Sequence, residues 1–104
     1  TQMEMLMKLS DNFSLHEFTR SQTATRHNID NTPNDKQIFN LRNLCVSVLQ
    51  PVRDYFQKPM IISSGFRCAE LNTKIGGSIT SQHVQGQAAD IEVLEIRSIN
   101  IRIS

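Results

Sequence analysis

Ile38, Leu41, Leu44, Val48, Val52 and Phe56 recur every three or four residues and draw one apolar stripe along a would-be helix. A helix with such a face is marginal alone in water and must lay the stripe on something. In a chain of 104 residues it is the largest single surface on offer for a core. Thr32 is expected to cap this helix, with Pro33 at its first position and Asp35 in its first turn. Pro51 interrupts the stripe and lacks a backbone donor, which predicts a kink near Ser47. Lys58-Pro59 ends the segment, so the scaffold helix is predicted over 34–56.

What covers the stripe has to come from the shorter elements. Met60-Ile61-Ile62-Ser63 reads as a strand, and Ala88 to Val93 as a second. On the second, Asp90 and Glu92 share one face while Ala89, Ile91 and Val93 share the other. In the tail, Leu94 and Ile96 alternate with Glu95 and Arg97, and Ile99, Ile101 and Ile103 alternate with Asn100 and Arg102. That is a β pattern whose register slips, predicting a bulge or turn near Ser98. Ser14 and Glu17 form a capping box for a short helix, Leu15 to Arg20, anchored by Leu15 and Phe18. Residues 21–31 are polar and read as a surface loop, and Cys68 to Lys74 as a brief helix ended by Gly76-Gly77. The expected fold is α+β: a small antiparallel sheet of 60–63, 88–93 and the tail, packed on one long helix. With no internal repeat and no low-complexity stretch, 1–104 is expected to be a single domain.

Composition removes several classes of partner. The net charge of +1 leaves no basic footprint for nucleic acid, and no apolar run is long enough to span a membrane. No apolar run resembles a signal-peptide core, which points to cytoplasmic synthesis. Cys45 and Cys68 make no Cys-x-x-Cys pair, and both are expected to be free thiols, with Cys45 a small buried hydrophobe in the helix stripe.

The chemistry concentrates in Ser81-Gln82-His83-Val84-Gln85-Gly86-Gln87-Ala88-Ala89-Asp90. On a continuous strand, an imidazole and a carboxylate at this odd spacing would face opposite ways. Gly86 lets the chain bend between them, so that His83 and Asp90 can converge. A neutral imidazole with a carboxylate is half of a Zn²⁺ site. On spacing alone, the pair reads more readily as solvated surface.

The whole string settles the choice. It matches S-x-H-x-x-G-x-A-x-D at every fixed position, and so resembles the signature of zinc D-Ala-D-Ala carboxypeptidases and related peptidoglycan peptidases of the Hedgehog/DD-peptidase fold. Ile62-Ser63-Ser64-Gly65-Phe66-Arg67 looks like that family's strand and S-G-[YF]-R. Leu71-Asn72 with Gly76-Gly77-Ser78 resembles its link to the histidine motif. Leu9 to Ser14 and Asn31-Thr32-Pro33 are similar to the start of small, often phage-associated members, and the resemblance covers about 8–93. It implies Zn²⁺ held by His83 and Asp90, and a substrate drawn from peptidoglycan stem peptides. It also implies Arg67 on the substrate's carbonyl, carboxylate or developing oxyanion, and Ser81 as a hydroxyl at the substrate or the metal shell. Access to the wall would be linked to phage or lysis.

The resemblance also implies a late histidine as third ligand, with an acidic general base shortly before it, and nothing here matches either. No histidine follows His83, while His16 and His27 lie far upstream and are expected on the surface. Glu92 and Glu95 are possible stand-ins, but two residues along a strand carry a carboxylate ~7 Å away. The expectation is therefore a truncated or altered member, impaired in hydrolysis, with residues 94–104 as an atypical tail. The alternatives are a non-catalytic module that binds cell-wall peptide or protein, and a site completed by a second chain through the 99–103 edge.

Overall fold

The structure, a computed structural model, describes residues 7–94 and 97–102. The chain opens with β1 (Lys8–Ser10) and β2 (Phe13–Ser14), an antiparallel pair that the sequence pattern did not announce. It continues through α1 (Leu15–Thr19) and α2 (Gln22–Arg26) into α3 (Asp35–Leu44), a π-helical turn (Cys45–Leu49) and α4 (Gln50–Phe56). β3 (Met60–Ser64), α5 (Ala69–Lys74), α6 (Gln82–Gln85), β4 (Ala88–Val93) and β5 (Arg97–Arg102) complete it. The main sheet is antiparallel in the order β3-β4-β5. The α+β class and the three expected strands are therefore present, with β4 over the predicted residues.

The scaffold helix departs from expectation at both ends of its logic. Its cap is Asn34, not Thr32: Asn34 Oδ1 accepts from the Gln37 N–H and Gln37 Oε1 accepts from the Asn34 N–H, each at 2.8 Å. Thr32 is held instead by Asp30, and Pro33 precedes the helix. The reciprocal box satisfies two orphan donors where Thr32 would have satisfied one. At Pro51 the helix does not simply kink. The preceding turn widens to π geometry and the Gln50 N–H bonds back to the Cys45 carbonyl, so the proline sits in a first turn, where no donor is required of it. The wide turn also rotates the apolar face. Leu41, Leu44, Cys45 and Leu49 are fully buried, while Ile38, Val48, Val52 and Phe56 flank them.

Two other readings are corrected. Residues 22–26 form a helix, capped by Ser21 Oγ accepting from the Ala24 N–H. With Ala24 and Ile29 as its only buried anchors, this stretch offered no periodicity to read. Ser98 is neither bulge nor turn but lies in an unbroken ladder opposite Glu92, and the chain turns at Leu94, before the strand begins. Glu95, Ile96, Ile103 and Ser104, which the tail pattern included, lie outside the described residues. Ile99 and Ile101 pack against the core together with Ile62, Ile91, Val93 and Phe66, so the tail's alternation serves the interior. Cys45 and Cys68 are free thiols.

Candidate metal centre

β4 carries Asp90 on the sheet face turned away from the core: Ala89, Ile91 and Val93 are buried, while Asp90 is half-buried and Glu92 exposed. His83 reaches the same face from α6. Ser81 caps that helix, its Oγ accepting from the His83 N–H at 3.2 Å. Gly86 ends it in the left-handed region at φ 75°. A side chain on Gly86 would meet the Gln37 carbonyl oxygen at 2.7 Å, so α6 seats directly on α3. Gln37 Nε2 and Asn40 Nδ2 fix that seat by donating to the Val84 and Gln85 carbonyls. The bend at Gly86 thus brings His83 and Asp90 together: Nε2 and Oδ2 are 3.6 Å apart.

The orientation of the ring follows from its other nitrogen. His83 Nδ1 lies 2.7 Å from the Gly65 carbonyl oxygen, an acceptor only, so Nδ1 carries the proton. Gly65 comes that close because it has no side chain; a Cβ there would sit 2.7 Å from the Phe18 backbone. Nε2 is left with its lone pair free. Burial, chiefly, holds the imidazole pKa below its ordinary value, with the Gly65 hydrogen bond opposing. A buried neutral imidazole whose far N–H is tied to a carbonyl is the arrangement that metal-ligating histidines adopt. The 3.6 Å gap is too long for a hydrogen bond, and it is close to the ~3.3 Å that separates two donors on one tetrahedral zinc.

Arg67 joins them from the loop after β3, its backbone N–H donating to the His83 carbonyl at 3.1 Å. Burial lowers its guanidinium pKa and the nearby Asp90 carboxylate raises it again. A side chain on Gly77 would run into Asn72 Oδ1 and the Arg67 guanidinium, which places the buried Asn72 beside that arginine. Among the described residues, the buried side-chain polar atoms without a hydrogen-bond partner are Arg67 Nε, Asn72 Oδ1, His83 Nε2 and Asp90 Oδ1. All four belong to this one neighbourhood. A groove of 1010 Å³ leads along β3 to Arg67; Arg20, Arg26 and Arg67 line it with no acidic residue.

Of the residues singled out in the sequence, His83, Asp90 and Arg67 are brought together, and Ser81 is placed at the cap of the helix that holds His83. Glu92 is exposed two residues further along β4, and Glu95 lies outside the described residues. His16 and His27 are both exposed. No third His, Cys, Asp or Glu joins His83 and Asp90 among the described residues. Sequence reasoning missed Asn72 as a site residue, although it stands in the quoted Leu71-Asn72 motif. It also missed Arg102, whose Nη1 lies 3.9 Å from Asp90 Oδ1; only the β4–β5 register could have shown it.

A family model described as Peptidase M15 matches residues 11–103, and so takes in β5 with the rest. Comparison with curated proteins gives no match. No helix among the described residues is long and apolar enough to cross a membrane.

Proposed function

The chain belongs to the peptidase M15 family, and on that footing we propose that it is a zinc-dependent peptidase domain of the D-Ala-D-Ala carboxypeptidase type, acting slowly on peptidoglycan stem peptides. The observation that carries the reading is the gathering of the four unpartnered buried atoms at one place. His83 Nε2 and Asp90 would hold the metal. When bound, the metal supplies Lewis acidity and a nucleophilic water at neutral pH. Gly65 keeps the His83 lone pair aimed outward. Arg67 offers its unpartnered N–H to a substrate carbonyl or terminal carboxylate. Ser81 holds the α6 cap and with it the position of His83. The three arginines of the groove suit a peptide that ends in carboxylate.

Slow turnover is expected because only two protein ligands stand together among the described residues, where catalytic zinc usually has three. That same shortfall favours a second reading, a module of this fold that binds stem peptide without cutting it. A peptide ending in D-Ala-D-Ala, incubated with the protein and added Zn²⁺, separates the two. The peptidase reading expects slow release of D-Ala that chelation stops, and the binding reading expects affinity without product. In calorimetric titration with Zn²⁺, His83→Ala should abolish a weak binding isotherm and His27→Ala should leave it unchanged. Loss of binding in the His27 variant would overturn the site assignment.

A further inference from the structure

Asp90 has two oxygens facing two different cationic or potentially cationic groups. Oδ2 turns to His83 and Oδ1 to Arg102. Arg102 lies on the edge strand β5, opposite Ala88 and two pairs along from Asp90, so it shares Asp90's outward face. Its guanidinium is half-exposed, and the Nη1 contact to Asp90 at 3.9 Å is ionic and not a hydrogen bond. Nothing in the quoted motifs accounts for a cation there.

We propose that Arg102 is a resident counter-cation of Asp90 that a divalent metal must displace, so that it sets how weakly this chain holds zinc. The proposal rests on His83 and Asp90 being the metal's ligands. A carboxylate already neutralised by a guanidinium is a poorer donor, and a doubly charged ion entering between His83 and Asp90 would meet both Arg67 and Arg102. The Arg67 main chain is tied to His83, whereas Arg102 stands half in solvent at the end of a strand, where its side chain is free to swing away. The charge on Arg102 also opposes a positive charge on His83 and on Arg67, as expected of groups gathered at one carboxylate. Displacing an ion pair of this exposure costs a metal no more than about 1 kcal/mol, or about fivefold in affinity.

The test is titration of the whole chain with Zn²⁺ alone, by calorimetry at low salt, on the wild type, Arg102→Gln and Arg102→Lys. Arg102→Gln should bind about two- to fivefold more tightly, and Arg102→Lys should stay close to the wild type because the charge remains. The difference should shrink in high salt. A misfolded variant would bind less and cannot imitate this gain. Equal affinity in the wild type and Arg102→Gln overturns the inference and leaves the metal site standing. A Lys variant as tight as the Gln variant overturns it as well, since charge would then not be the cause. Absence of binding in all three proteins overturns the reading of His83 and Asp90 as ligands, and the inference with it.

Discussion

Asn31 and Asn72 are the same residue type, both buried, on either side of the segment from Gly65 to Cys68. Asn31 uses everything it has. Its Nδ2 donates to the Thr19 and Phe66 carbonyls at 3.0 Å each, and its Oδ1 accepts from the Cys68 N–H at 2.7 Å. Asn72 is satisfied on one side only: Nδ2 donates to the Ser78 carbonyl at 2.8 Å while Oδ1 has no partner, as with atoms of Arg67, His83 and Asp90 around it. A closed polar network specifies architecture, because every group in it would lose by moving. An open one keeps desolvated donors and acceptors ready for something else to complete. The same short stretch of chain thus serves a joint on one side and a site on the other.

If that contrast is right, the joint should carry stability and the site should not. Asn31→Ala strands two carbonyls and an N–H at the meeting of α1, the 65–68 segment and α5, and should cost about 3 kcal/mol in urea unfolding. A cost under about 1 kcal/mol would mean that the three bonds are decorative, and would dissolve the comparison. Gly86→Ala comes next. It forces a left-handed φ on a residue with a Cβ and drives that Cβ into the Gln37 carbonyl, for about 2 kcal/mol. It should also lift α6 off α3, so that the chemical shifts of His83 move while those of Asn31 stay.

The sequence disclosed these two regions unequally. β4, the capping box at Ser14 and the convergence of His83 on Asp90 were legible because each depends on local pattern: alternation, a three-residue spacing, a glycine at a bend. The motif resemblance added Arg67 and Ser81. The joint at Asn31 was invisible, since its partners at Thr19, Phe66 and Cys68 are backbone groups far along the chain, and backbone groups carry no sequence signal. Arg102 was hidden for a related reason: it meets Asp90 through sheet register, and the slip read near Ser98 placed the tail wrongly. The π turn was hidden because Pro51 announces a disturbance and not its form. A kink and a widened turn both free the helix of the missing donor, and packing of Cys45 and Leu49 chose between them.

Cys45 offers a third kind of buried group, one with a proton to lose and a charge that burial would leave desolvated. Burial, with Glu17 adding to it, pushes the thiol up to about 12. The folded chain therefore keeps a proton that the unfolded chain releases from pH ~8.5 upward. Stability linked to this group is intact below that pH and falls as pH rises from there towards the folded value. By pH 9.5 the loss should be about 1.4 kcal/mol relative to Cys45→Ala, whose curve lacks the titration. The thiol should also resist alkylation in the native state at pH 8, while the less buried Cys68 reacts. Equal reaction of the two would show that the π turn opens readily, and with it the seat of the scaffold helix.

The smallest effect on stability tests the site half of the comparison most sharply. His83 Nδ1 is committed to the Gly65 carbonyl, so Nε2 is an acceptor, and the Asp90 carboxylate facing it is an acceptor too. The two cannot hydrogen-bond while the imidazole is neutral. Asp90→Asn would place an amide donor where Oδ2 stands, and a slight rotation would let it donate to Nε2. That gain offsets the loss of the carboxylate's attraction for Arg67 and Arg102, a partly exposed interaction worth at most about 1 kcal/mol. The variant should therefore unfold within about 0.5 kcal/mol of the wild type, or slightly later, while losing Zn²⁺ binding, because an amide is a poor substitute for an anionic ligand. A penalty above about 1.5 kcal/mol, measured by urea unfolding without metal, would place Asp90 with Asn31 as a structural residue.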